Sequence, residues 1–279
     1  MKKLLAVLGD PIEHSLSPIM HNDLLGYYKI DAHYHPLRVK KEDLPNAVKG
    51  LKAIGASGFN VTIPHKTSIM PLLDRIDELA LKIGAVNTVV KEAGQFVGYN
   101  TDGPGFIRGL EQAIDSIQNR KALIVGAGGA ARAIYFSLAQ KGVKKIDIAN
   151  RTVSKAEELI SECPYSVDSI AISLEEIEGQ LSDYDLIIQT TQIGMYPQTN
   201  EQPLSLKSLN KDAFVCDIIY NPFESQFLRE ARINGCGTQN GIEMFVFQGA
   251  LAFEKWTGIF PETNRMKNIV MEQLGGTKC

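Results

Sequence analysis

Lys121-Ala-Leu-Ile-Val-Gly-Ala-Gly-Gly-Ala-Ala-Arg132 is the stretch whose reading decides the fold. Lys121 to Val125 reads as a buried strand and Ala130 to Leu138 as a helix. Between them Gly126, Ala127, Gly128, Gly129 and Ala130 form a Gly-x-Gly-x-x-Ala turn that closes on Ala131. Gly126 allows the tight turn, Gly128 lets backbone N–H groups approach a pyrophosphate, and the small Ala131 lets helix and strand pack closely. The helix N-terminus adds partial positive charge for the anion. Such a turn can also be an ordinary connection, but a second strand, 145–149, follows at βαβ distance. The expectation is a dinucleotide site.

Outward toward the C-terminus come helix 154–160, strands 169–172, 185–190 and 213–217, helix 225–234 and a short strand near Gly237. Six strands with helical crossovers make a Rossmann-type doubly wound parallel sheet. The tail, 244–257 and 264–274, reads as two helices with no following strand, free to return to the N-terminal region. Toward the N-terminus the chain alternates again. Strands are expected at 4–8, 32–39, 58–63, 85–90 and 96–99, and helices at 17–28, 44–54 and 77–83. Ser17 is expected as a helix N-cap with Pro18 at the first helical position. This is a small α/β domain of its own, with a mixed sheet. Gly103-Pro-Gly105 reads as a hinge or boundary, with a helix over 106–114. The fold class is therefore α/β in two domains: an N-terminal domain of 1–104, to which C-terminal helices in 243–279 are free to return, and a nucleotide domain of 105–242.

With 279 residues, 44% hydrophobic and 22% charged, and a net charge of -3, the chain has no basic surplus for nucleic acid. The apolar start, Met1 to Leu8, stops at Gly9-Asp10-Pro11, too early for a signal peptide, and no run is long enough to span a bilayer. A cytoplasmic location without nucleic-acid or membrane partners is expected. Cys163, Cys216, Cys236 and Cys279 lack metal-finger spacing and read as reduced structural residues. His33 and His35 would share a strand face but have no third ligand, so no metal is expected.

The residues after the second Rossmann strand choose the cofactor. An acidic side chain there would bind the ribose of NAD, a basic one the 2′-phosphate of NADP. Here stand Asn150, Arg151, Thr152 and Lys155. Arg151 and Lys155, read as an i,i+4 step at a helix start, could reach one phosphate, the first as a fork and the second as a point charge. A pair of solvated cations is the plainer alternative; the position argues for NADP.

The chemistry points to the first domain. In Asn60-Val-Thr-Ile-Pro-His-Lys66, Asn60 and Thr62 share a strand face, and Pro64 ends the ladder ahead of Lys66. Ser15-Leu-Ser17, Asn87-Thr88 and Asn100-Thr-Asp102 lie at other strand ends or loops. Each has an ordinary structural use. Together they surround one lysine and one aspartate with uncharged hydrogen-bonders, which suits a small polyhydroxylated molecule.

Eight motifs in order then resemble the shikimate dehydrogenase family nearly end to end. They are Ser15-x-Ser17-Pro18, Asn60-Val-Thr-Ile-Pro-x-Lys66, Gly84-Ala-Val-Asn-Thr88, Gly98-Tyr-Asn-Thr-Asp-Gly103, Gly126-Ala-Gly-Gly-Ala130, Asn150-Arg-Thr152, Tyr220-Asn-Pro222 and Gln248-Gly-Ala250. The resemblance implies an NADP-dependent enzyme of aromatic amino-acid biosynthesis that interconverts 3-dehydroshikimate and shikimate in a cleft between the domains, as a monomer or homodimer. It implies Lys66 and Asp102 as the catalytic pair, with Asp102 orienting the lysine. It implies substrate contacts from Ser15, Ser17, Thr62, Asn87, Tyr220 and Gln248, with Asn60 in support. For the cofactor it implies the Gly126–Ala130 turn, Asn150 to Lys155, the backbone near Ile218 and Gly241, Met244 and, more weakly, Glu78. An alternative role for Lys66 is to anchor the substrate carboxylate. Gln189, Gln192 and Glu243 depart from the family pattern near the expected nicotinamide position and bear on cofactor affinity. Rival readings are an NAD-using quinate/shikimate dehydrogenase, a folate-linked dehydrogenase of similar build, and a non-catalytic nucleotide sensor. The chain crosses between domains at Gly103–Gly105 and Gly241, from which closure over bound ligands is expected.

Overall fold

A computed structural model describes residues 2–275, so Cys279 lies outside the described residues. In chain order the elements are β1 (Lys3–Gly9), α1 (Ser17–Tyr27), β2 (Ala32–Arg38), α2 (Leu44–Ala53), β3 (Gly58–Val61), β4 (Arg75–Ile76), α3 (Glu78–Ile83), β5 (Thr88–Glu92) and β6 (Gln95–Tyr99). They continue with α4 (Asp102–Leu110), β7 (Lys121–Val125), α5 (Gly129–Gln140), β8 (Lys145–Ala149), α6 (Val153–Ser161), β9 (Ala171–Ile172), α7 (Leu174–Ile177) and β10 (Leu186–Gln189). The last are β11 (Phe214–Asp217), α8 (Gln226–Ile233), β12 (Gly237–Gln239), α9 (Ile242–Thr257) and α10 (Thr263–Gln273). The chain divides into two compact units, Met1–Thr101 with Val246–Cys279, and Asp102–Phe245.

The first unit holds a six-stranded mixed sheet in the order β2-β1-β3-β5-β6-β4. β1 is parallel to β2 and β3, whereas β5 runs antiparallel to both β3 and β6. Leu44, Val48 and Leu51 lie on one face of α2 at helical spacing and pack with Ala6, Leu8, Phe59, Val61, Val89 and Phe96. Burying each leucine contributes about 1.5–3 kcal/mol. α10, and α9 from Val246 onward, belong to this unit. The Trp256 indole N–H of α9 donates to the Val89 carbonyl at 2.9 Å and lies where a Cβ on Gly58 would have to sit. From α10, the Arg265 guanidinium grips the Asp23 carboxylate of α1.

The second unit is an all-parallel sheet, β12-β11-β10-β7-β8-β9. Ala122, Leu123, Ile124 and Val125 are all fully buried. That unbroken apolar run, without alternation, is what a parallel strand covered on both faces requires. Strand order reverses between β7 and β10, which is the topological switch point.

Several expected boundaries move. Ser17 is the first residue of α1 rather than its N-cap; Leu16 holds the cap position without a side-chain bond, and the Ser15 hydroxyl accepts the Ser17 N–H at 3.4 Å. β3 stops at Val61, and Thr62 enters a turn in which its carbonyl accepts the His65 N–H at 2.8 Å. β5 starts at Thr88, not Ala85, and the short β4 was not expected. The units divide between Thr101 and Asp102, beside the expected boundary at Gly103-Pro104-Gly105, but that tripeptide itself lies in the first turns of α4, which starts four residues before the expected position and ends at Leu110. A Cβ on Gly103 would overlap the Ser137 hydroxyl and the Ala133 carbonyl, so the glycine serves the close packing of α4 on α5. Among the described residues, no helix is long and apolar enough to cross a membrane.

Candidate active site

In the first unit a chain of buried polar side chains joins the ends of several elements. Tyr34, on β2, is fully buried and donates its hydroxyl to Asn60 Oδ1 at 2.7 Å. The Asn60 amide N–H group donates to the Asn87 carbonyl and to Thr88 Oγ1, both at 3.0 Å. Asn87 in turn grips residue 101 twice: its Oδ1 accepts the Thr101 N–H at 2.8 Å and its Nδ2 donates to Thr101 Oγ1 at 2.9 Å. Asn60, Asn87, Thr88 and Thr101 are all buried, and each bond removes the penalty of a desolvated polar atom. Asn60 and Asn87 are thus first of all braces, and Asn87 holds the backbone immediately ahead of Asp102, the first residue of α4.

At the head of this chain the Ser17 hydroxyl reaches the Tyr34 hydroxyl. Burial pushes the Tyr34 phenol well above its ordinary pKa, and the Ser17 contact opposes that shift. Lys66 lies in the turn after β3, half-buried, and its carbonyl accepts the Val86 N–H at 2.8 Å. The lysine backbone is therefore tied to the residue next to Asn87. Gln248 lies on α9, half-buried. Glu78 opens α3 and is largely exposed; Lys82, one turn on, donates to it at 2.7 Å and holds its carboxyl below the usual range. That contact leaves Glu78 with only the resemblance in favour of a cofactor role.

In the second unit the Gly-rich turn stands at the C-terminal mouth of β7. Gly126 has φ +112°, and its N–H donates to the Ala149 carbonyl at 2.8 Å. A Cβ there would meet Thr190 Oγ1 at 2.7 Å. Gly128 and Gly129 differ: a Cβ on either would meet nothing within 4 Å. Gly128 is the N-cap of α5 and, as a glycine, has no side chain with which to cap it. A helix N-terminus that opens on glycines with free space beside them suits an anion such as a pyrophosphate.

Beyond β8 the geometry corrects the sequence reading. Thr152 is the N-cap of α6 and Arg151 precedes it, so Arg151 and Lys155 do not form an i,i+4 pair on a helix face. Both are exposed, Arg151 before the cap and Lys155 in the first turn. Asn150 shapes that entry by donating to the Thr152 carbonyl at 2.8 Å.

The strands past the switch point complete this end of the sheet. Ile218 N–H donates to the Gln189 carbonyl at 3.1 Å, and Gly241 N–H to the Ile219 carbonyl at 2.9 Å. A Cβ on Gly241 would overlap the Ile218 carbonyl, so only glycine allows the two segments this approach. Gln189, fully buried, turns its carboxamide onto its own loop: its Oε1 accepts the Thr191 N–H and its Nε2 donates to the Ile193 carbonyl. Gln189 is thus a local brace, whereas Gln192 is exposed and Glu243 stands in the first turn of α9 beside Gly109. Tyr220 packs its ring 5.1 Å from Phe245, and burial raises its pKa; Met244 is the neighbouring residue on α9.

Sequence reasoning missed Tyr34 and Asp217. Asp217, at the end of β11, accepts the Ile219 N–H at 2.9 Å and the Ser225 hydroxyl at 2.6 Å, and so holds the turn that carries Ile218 and Tyr220. Burial raises its pKa to about 6, against the lowering effect of those two bonds. A lone acid at the end of an apolar strand was the available signal.

Three family models match the chain. They describe a shikimate dehydrogenase substrate binding domain over residues 7–89, a shikimate / quinate 5-dehydrogenase over 109–222, and a shikimate 5′-dehydrogenase C-terminal domain over 241–271. A relative from Bacillus anthracis, named shikimate dehydrogenase (NADP(+)), is 58% identical over 99% of this chain and 100% of its own length. A shikimate dehydrogenase crystallised with NADP+ superposes with a TM-score of 0.92 at 42% identity, covering 99% of this chain and 96% of that one. The enzyme from Thermus thermophilus, crystallised with NADP(H) and shikimate, gives 0.88 at 33% identity over 97% and 99%.

Proposed function

The chain belongs to the shikimate dehydrogenase family, and from that premise we propose that it reduces 3-dehydroshikimate reversibly to shikimate with NADPH, a step of aromatic amino-acid biosynthesis. The observation that carries the reading is a pair of features on one chain. The second unit leaves the α5 N-terminus open at Gly128, and the first gathers uncharged hydrogen-bonders at strand ends near Lys66.

When bound, NADPH supplies the hydride. We assign its pyrophosphate to the Gly126–Ala130 turn and its 2′-phosphate to Arg151 and Lys155, with Asn150 and Thr152 shaping the entry. The Ile218 and Gly241 backbone and Met244 are assigned to the nicotinamide. As hydride reaches the substrate carbon, negative charge grows on the carbonyl oxygen, and a cation that can also give a proton lowers that barrier. Lys66 is assigned this role: its ammonium protonates the oxygen, and the amine regains a proton from water. Asp102 is assigned to a substrate hydroxyl, which it can hold as an acceptor. Ser15, Ser17, Thr62, Asn87, Tyr220 and Gln248 are proposed to complete the substrate contacts, with Asn60 behind them. In the domain assignment that follows, 1–104 and 243–279 bind substrate and 105–242 bind NADP.

A monomer or a homodimer is proposed. The free thiols of Cys163, Cys216 and Cys236 suit a reducing compartment, and we place the enzyme in the cytoplasm. The test is a matrix of NADP and NAD against shikimate and quinate, followed by the absorbance of reduced nicotinamide. The expected result is the highest kcat/KM for NADP with shikimate. A preference for NAD and quinate would replace the reading with the quinate enzyme, and nucleotide binding without turnover would make the chain a sensor.

A further inference from the structure

We infer that Tyr34 is a positioning residue for the substrate pocket, its buried hydroxyl setting the orientation of Ser17 and Asn60. The inference rests on the function proposed above.

Tyr34 sits on β2, the edge strand of its sheet, between the exposed His33 and His35. Phenylalanine would fill the same apolar space, so the hydroxyl is the informative atom. It donates to Asn60 Oδ1 at 2.7 Å, with the Ser17 hydroxyl beside it. The residue cannot move to suit other partners. The Asn22 carboxamide takes both of its backbone polar groups, donating to the carbonyl at 2.8 Å and accepting the N–H at 2.9 Å. His21 stacks on the ring with centroids 4.6 Å apart, and Trp256 packs 5.9 Å away.

A side chain locked by packing can in turn lock what it bonds. Asn60, held through its oxygen, aims its N–H group at Asn87 and Thr88, and Asn87 then fixes Thr101 ahead of Asp102. Ser17 is itself buried, with its hydroxyl beside the same phenol. The phenol thus stands behind several proposed substrate contacts without being one of them.

The experiment is Tyr34→Phe in the full chain, with KM measured separately for shikimate and NADP. The expected result is a rise of about 3–30-fold in the shikimate KM, the scale of one misplaced hydrogen bond. The NADP KM should stay within about twofold. In a Ser17→Ala background the effect should shrink, because coupled residues are not additive. Tyr184→Phe is the control: it removes another buried phenol, bonded to Asp147 at 2.8 Å, and should leave the shikimate KM unchanged. Should Tyr34→Phe not fold, Asn60→Ser breaks the same contact from its other end and should show the same split. An unchanged shikimate KM, or equal rises for both ligands, would overturn the inference. A wild-type chain inactive on shikimate would instead overturn the proposed function, which keeps the two failures apart.

Discussion

Gly128→Ala separates what the Gly-rich turn does for folding from what it does for the cofactor. Gly128 has φ -92° and ψ -173°, extended backbone that alanine adopts freely, and its new methyl would touch nothing within 4 Å. Reducing the freedom of the unfolded chain stabilises by about 0.4–1 kcal/mol. Losing glycine at an N-cap costs a similar amount, since alanine is a poor cap. The two nearly cancel, so Tm should move by no more than about 4 °C in either direction. Binding is another matter, because the space the methyl enters is where the pyrophosphate is proposed to approach. Losing one hydrogen bond to a charged group costs about 1.5–3 kcal/mol, so the NADP KM should rise roughly 10- to 100-fold with shikimate saturating. Gly126→Ala gives the contrast: φ +112° and Thr190 Oγ1 at 2.7 Å make it lose stability as well. Melting curves and steady-state kinetics on the same preparations read both effects. A Gly128→Ala enzyme with the wild-type NADP KM would refute the placement of the pyrophosphate.

Lys66→Ala should lower kcat by about 10²–10⁴, the range for a general acid–base, with little change in the shikimate KM; a raised KM at unchanged kcat would make the lysine a carboxylate anchor. Arg151→Ala should weaken NADPH about 10-fold or more while barely affecting NADH, as loss of a charged hydrogen bond predicts; equal losses would remove the phosphate assignment. Asp217 gives a pH test. Its folded pKa, about 6, lies above the unfolded 3.8, so the native state holds the extra proton and stability falls as pH rises from about 4 to 6. Asn in its place cannot ionise, so the Tm of Asp217→Asn relative to wild type should be higher at pH 7 than at pH 4; a pH-independent difference would refute the shifted acid.

The dinucleotide half was legible because its signals are local. The apolar run 121–125, a glycine at Gly126 with positive φ and a helix starting at Gly129 are adjacent in the chain, and each limits the backbone where it stands. The motifs around Asn60, Asn87 and Asp102 were legible as a polar set for the same reason. Their division of labour was not. Whether Asn87 faces a ligand or holds Thr101 depends on a partner 14 residues away, and Tyr34 meets Asn60 across 26. Gly103 read as a hinge because its neighbours are Pro104 and Gly105, yet its place is settled by Ala133 and Ser137 on α5. Arg151 and Lys155 read as one helical step because spacing alone does not say where a helix begins, and α6 begins at Val153.

Fold class, the βαβ turn and the preference for a phosphorylated cofactor were therefore readable from residue order. Which polar side chains brace one another emerged once distant segments met. Backbone torsions are set by a residue and its neighbours, whereas a buried hydrogen bond is set by whatever the fold brings to it, and that partner is not written beside it in the chain.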